Sequence, residues 1–308
     1  MTAASVALWT LLAGPSRPAR ILAIDAGTVY LQVDSLAAAD SRDGRDHPGA
    51  VVALLEPDAV QLPIGIVLPP SAADLMPVSV AGSPVSRGEI TIGWGAISLA
   101  DVRWPVLRWW NPGIPALPLP ARSITSEVGP PERRSSSQDS SLSLEPDQAL
   151  GLDPALGVDP DLELAPGLAA LIAGEVDAAV RQLIGVGTGL VPAGDHVLGG
   201  ALAALAAWAP DAPARQLLAT AVAGALERTS PASAALLQSA AAGFAVPELT
   251  RYLTALSAGG PEVDSALVEL TALSADAGRG ATTSGSAMAL GVVHQLRALF
   301  AAGARSAA

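Results

Sequence analysis

The chain has 308 residues, enough for two domains and a sizeable core, and half of it is hydrophobic although aromatics make up only 3%. It carries 17 arginines, no lysine and 29 acids, for a net charge of −12, a balance that argues against nucleic acid or an anionic membrane surface as partner. Absence of cysteine and lysine excludes thiol, thiolate-metal and Schiff-base chemistry, and His47, His196 and His294 are too far apart to form a metal-ligand motif.

In chain order, residues 1–18 read as a short helix closed by Gly14, Pro15 and Pro18, with no convincing leader. Short β-like runs follow at 20–25, 28–34, 50–56, 64–68, 89–94 and 96–99, separated by turn formers such as His47-Pro48-Gly49 and Gly82-Ser83-Pro84. Val29, Leu31 and Val33 alternate with Tyr30, Gln32 and Asp34, as in a half-buried strand. The expectation is an α+β protein that opens with a β-rich sandwich or barrel-like domain over residues 1–122. Trp104, Trp109 and Trp110, half of the tryptophans, fall within seven residues. Exposed together with Arg108 they would mark an interface; the preferred reading is a plug at one end of the β-rich part or against the helices, with Arg103 and Arg108 as possible anion ligands.

Residues 123–165 are acidic and rich in Ser and Pro, and read as a flexible linker. From 166 to 308 the chain reads as an all-helical domain of about seven helices. Helix starts are marked by Pro166, Pro213, Ser230-Pro231, Pro247 and Pro261. Stops fall at Gly185, Gly243 and Gly259-Gly260. No apolar run reaches the ~18 residues of a bilayer span, and a cytoplasmic location is expected.

Two glycine loops run into apolar helices. Gly187, Gly189, Gly194 and Gly200 recur 91 positions later as Gly278, Gly280, Gly285 and Gly291. Such a loop feeding a helix suits a small anion, because glycine admits close approach and the first helical amides lack internal partners. Neither loop carries the Walker or dinucleotide pattern, so no cofactor is expected. Candidate anion-binding residues are Gly187, Thr188, Gly189, Gly194, Asp195 and His196 at the first loop, and Arg228, Thr229 and Ser230 at a helix start between the loops. Arg279, Gly280, Thr283, Ser284 and Gly285 are the candidates at the second. If the copies obey an approximate two-fold, their helix N-termini could converge on one pocket. The bland alternatives are that the glycines let helices pack closely, that Asp195 caps a helix, and that His196 is structural.

Three stretches, IGVGTGLVPAGDHVLGG from Ile184, RTSPASAALLQSAAAGFAVPEL from Arg228 and GATTSGSAMALGVV from Gly280, resemble the AllH family, whose named member is a subunit of a bacterial oxamate carbamoyltransferase. The resemblance implies an enzyme subunit that, with other carbamoyltransferase subunits, moves a carbamoyl group between oxalurate or oxamate and phosphate. A small anionic substrate (phosphate, carbamoyl phosphate or oxamate/oxalurate) is implied with it. The family's first loop usually reads GLTPSGDD; here Val191 and Ala193 replace hydroxyls, His196 replaces the second acid, and Ala287 stands where the second loop would carry an acid. These departures leave open a noncatalytic ligand-binding or assembly protein that kept the fold, and the resemblance assigns no catalytic residue.

Overall fold

A computed structural model describes residues 1–25, 27–34, 49–80, 83–85, 88–120, 163–273 and 284–306. The expected linker lies almost wholly outside them, as do Arg279, Gly280 and Thr283 of the second loop. An N-terminal β half-barrel joins a C-terminal helical region, so the chain is α+β.

The β part begins with β1 (Ala3–Ser5), followed by a single 3-10 turn and the short helix α1 (Trp9–Ala13). β2 (Arg17–Asp25), β3 (Thr28–Val33), β4 (Ala50–Leu55) and β5 (Gly65–Val67) follow. A separate hairpin pairs β6 (Val78–Val80) with β7 (Ser83–Val85). β8 (Ile90–Gly93), β9 (Ala96–Leu99), β10 (Val102–Pro105) and β11 (Arg108–Trp110) complete the set. Nine strands form one sheet in the order β10-β9-β8-β2-β3-β4-β5-β1-β11. Its pairs are antiparallel except β4 with β5 and β1 with β11.

Val29, Leu31, Val33, Val52 and Leu54 point to one face of the sheet and pack with Leu8, Leu12, Ile92 and Ile97. The opposite face was expected to meet solvent, yet Tyr30, Ala53 and Leu55 are buried there. Ala232 and Ala235 of the helical region cover them, which is why the central strands carry apolar side chains on both faces. The tryptophan segment folds as strands β10 and β11, with Trp104 and Trp109 packed on the sheet's core. Arg103 donates to the Trp94 carbonyl at 2.7 Å.

Eight helices make up the other region among the described residues: α2 (Ala165–Ala173), α3 (Val176–Leu183), α4 (Ala193–Trp208), α5 (Pro213–Ala223), α6 (Pro231–Ala241), α7 (Pro247–Ala258), α8 (Glu262–Thr271) and α9 (Ser284–Ser306). The single helix expected over 167–184 is two, because Gly174 adopts φ +79° and closes α2 with a left-handed cap. Proline occupies the first position of α5, α6 and α7, where its missing N–H costs nothing.

α4 and α9 form the largest helix–helix contact. A Cβ on Gly200 would overlap the Met288 carbonyl oxygen, and one on Gly291 would overlap the Val197 carbonyl oxygen. Val197 and Met288 are themselves 91 positions apart, like Gly200 and Gly291. Each helix therefore presents the same glycine notch to the same backbone atom of the other, an antiparallel pairing with approximate two-fold symmetry. The segment after β11 also joins the two regions: Gly113 bridges Phe244, and Leu117 N–H donates to the Ala207 carbonyl at 2.7 Å.

Candidate functional site

The first glycine loop leaves α3, turns outward and re-enters at α4. Gly194 faces the Leu183 carbonyl so closely that a Cβ would overlap it, which pins the start of α4 against the end of α3. Gly285 stands in the same relation to the Leu270 carbonyl at the end of α8. Close packing thus accounts for Gly194, Gly200, Gly285 and Gly291. It does not account for Gly189, whose φ is +96° and around which a Cβ would meet nothing within 4 Å.

Asp195 is the anchor of this loop. It lies in the first turn of α4 and is only 2% exposed. Its carboxylate caps nothing in its own helix. Instead it accepts from the Gly185 N–H at 2.8 Å, from the Ser233 hydroxyl at 2.6 Å and from the Thr229 hydroxyl through a short hydrogen bond. Three donors from three elements satisfy a buried charge that would otherwise be costly. Ser230 is the N-cap of α6: its hydroxyl donates to the Leu190 carbonyl at 2.6 Å and accepts from Ser233 N–H at 3.1 Å. Both ends of the loop are therefore tied to residues 229–233. Leu190 further packs beside α6 near the outer face of the sheet.

Between those ties the loop is open. Gly187, Thr188 and Gly189 are exposed. Among the described residues, the backbone N–H groups of Gly187, Thr188, Gly189, Leu190 and Val191 donate to no protein acceptor. By contrast, Gly194 N–H donates to Val186, and Asp195 and His196 N–H donate to Pro192, so the helix terminus itself offers little to a ligand. Arg228 borders Gly185 through its carbonyl, while its guanidinium donates to the Arg181 carbonyl at 2.9 Å.

His196 is partly buried and its ring makes no hydrogen bond among the described residues. Burial pushes its pKa down to about 4. Its unfolded value is about 6.5, so below that pH the unfolded chain takes up a proton that the folded chain refuses. His196 should therefore contribute stability fully above pH about 6.5 and lose it as pH falls toward about 4. Urea unfolding across that window should show a smaller fall for His196→Leu than for the parent; parallel curves would rule the effect out.

The structure brings the first loop together with Thr229 and Ser230, and adds Ser233, which the sequence had not singled out. Its signal was present in the T-S-x-x-S spacing, which places a second hydroxyl one turn into α6. Ser284 and Gly285 are not brought to this cluster. Because α4 and α9 run antiparallel with Val197 abreast of Gly291, their N-termini lie at opposite ends of the contact, on the order of 15 Å apart along the axis. Two surface cavities of about 360 Å3 lie elsewhere, one beside Asp211, Arg215 and Gln216 and one beside Trp110 and Arg251. Neither is lined by a residue of the first loop.

The described residues thus set a helical region, in which α4 and α9 carry reciprocal glycine notches, against a β half-barrel, with the loop before α4 clamped by a buried aspartate. Residues 183–296 match the AllH family model, described as oxamate carbamoyltransferase subunit AllH, and the resemblance of the glycine-loop segments is thereby shown over that stretch. No curated protein and no solved structure matches the chain. Among the described residues, no helix is long and apolar enough to cross a membrane.

Proposed function

We propose that this chain is a subunit of a carbamoyltransferase-like assembly and that residues 187–191 hold a small anion, namely phosphate, carbamoyl phosphate, oxamate or oxalurate. The family match supports the first half. The second rests on one observation: five consecutive amides without protein acceptors, on a loop whose two ends are fastened by Asp195 and Ser230. Successive amides in a glycine-rich turn make a concave donor set for an anion, already ordered before the ligand arrives. Thr188 would add a hydroxyl, and Arg228 would supply charge by releasing the Arg181 carbonyl. The second glycine loop, with Arg279, Gly280, Thr283, Ser284 and Gly285, would bind such an anion as its repeat does. Catalysis would be completed by residues of other subunits.

A thermal-shift series with the four anions tests this, repeated on Gly189→Val. Occupancy at one hundred times Kd adds roughly 2.7 kcal/mol, which is a shift of several degrees. The shift should be present in the parent and absent in the variant, since a β-branched residue cannot hold φ near +96° without strain. Equal affinity in both would sink the loop assignment.

A second reading, a noncatalytic assembly protein, is favoured by the four glycines that backbone packing explains without a ligand. Copurification with partner subunits whose turnover ignores Gly189→Val would select it.

A further inference from the structure

We propose that one end of the β half-barrel, where α1, the β8–β9 turn and the link between β10 and β11 meet, is the face on which another subunit docks, and that this subunit presents apolar side chains flanked by acids. The face lies in the β part, outside residues 183–296, and its role rests on the subunit reading above. Backbone hydrogen bonds gather its segments. Trp94 N–H and Gly95 N–H donate to the Gly14 and Leu12 carbonyls at the end of α1, at 2.8 and 2.7 Å. Val106 N–H donates to the Gly95 carbonyl at 2.8 Å, and Leu107 N–H to the Thr2 carbonyl at 3.1 Å. Trp9 of α1 sets its ring 4.9 Å from that of Trp109. Trp9, Trp94 and Leu107 nevertheless remain 58%, 64% and 64% exposed, so three large apolar side chains meet water around one end of the sheet. Grouped apolar exposure marks an interaction surface, whereas scattered exposure does not.

The β8–β9 turn points the same way independently. Gly93 pairs with Ala96, so Trp94 and Gly95 form a two-residue turn, and both have positive φ, +51° and +67°. Asparagine is favoured in the first position of such a turn, and a bulky residue there strains the backbone. Trp94 thus holds a costly conformation while its indole stays largely in water, and the isolated chain gains little from it. A partner that buries the indole accounts for both costs.

Charge defines the partner's chemistry. Residues 1–16, 90–100 and 102–110 contain Arg103 and Arg108 and no acid, in a chain with 29 acids. Asp101 lies at the opposite turn of the β9–β10 hairpin, and Asp34 is held beside Pro18 in β2. Arg103 donates to the Trp94 carbonyl, which places its guanidinium beside the turn, and Arg108 is exposed and has no partner among the described residues. Acids opposite these two arginines complete the match. A second copy joined about a two-fold would set the arginines against each other, and the net charge of −12 works against an anionic bilayer.

The tagged full chain is isolated from cells that express it natively, and the subunit that copurifies is titrated back onto the free parent chain and its variants. Trp94→Asn relieves the turn, so it should melt at or above the parent's temperature yet bind the subunit about tenfold more weakly or worse. Arg108→Glu should weaken binding by a similar factor, and exchanging the opposing acid of the subunit for arginine should restore it. Leu217→Asn, exposed on α5 in the helical region, should bind as the parent does. Parent-like binding by Trp94→Asn or by Arg108→Glu overturns the docking face and leaves the subunit reading standing; failure of any subunit to copurify overturns both. Sedimentation of the parent, but not of Trp94→Asn, with vesicles of phosphatidylglycerol and phosphatidylcholine overturns the docking face in favour of a membrane. A parent dimer that Trp94→Asn dissociates overturns it in favour of a second copy.

Discussion

Replacing Asp195 by alanine should destabilise the fold by about 3 kcal/mol or more, because hydrogen bonds to a charged group contribute about 1.5–3 kcal/mol each and three are lost together. The donors left behind sit in a site where the carboxylate is 2% exposed, so water cannot readily replace it. Against a total stability of about 5–15 kcal/mol, the loss is severe. Asp195→Asn keeps one acceptor oxygen of the same shape and should fall between alanine and the parent. Urea unfolding followed by circular dichroism measures both. A loss below about 1 kcal/mol for Asp195→Ala would mean that the three donors find other partners and that the clamp is not what holds the loop.

The second large effect concerns the helix pair. Gly200→Ala and Gly291→Ala should each cost about 3 kcal/mol, the upper end for overpacking, because the obstacle is a backbone carbonyl rather than a side chain that can turn aside. Both substitutions force the same two helices apart. Once one methyl has opened the gap, the other should enter at reduced cost, so the double variant should lose clearly less than the sum of the singles. Strict additivity would show that the two notches yield independently and that α4 and α9 are not one rigid contact.

Helix starts were readable in the sequence because proline and Ser230 act locally: Pro213, Pro231 and Pro247 sit at first helical positions as their chemistry demands. The longer strands were readable from apolar alternation and β-branched content. β1 and β11 were not, since each has three residues and exists by pairing across the chain, Ala3 with Arg108 and Ser5 with Trp110. The buried outer face of β3 was hidden for the same reason: Tyr30 is covered by α6, two hundred residues on.

At the site, the sequence exposed the loop and its repeat but not the division of labour among the glycines. Whether a glycine serves packing or a ligand depends on which carbonyl it faces, and Leu183, Met288 and Val197 come into contact only on folding. Asp195 was readable as a first-turn acid. Its partners Thr229 and Ser233, 34 and 38 residues away, were beyond any local pattern.

The reciprocal notches of α4 and α9 resemble the interface of a symmetric dimer whose two halves have been fused. In a dimer of identical chains every substitution appears twice, so a buried charge accepted at one half must be tolerated at the other. Fusion lifts that constraint. Positions 195 and 196 are Asp and His, while their counterparts 91 residues later are Ser286 and Ala287, both buried. One half of the scaffold is thereby free to hold a polar clamp while its twin keeps the neutral interior that steadies them both.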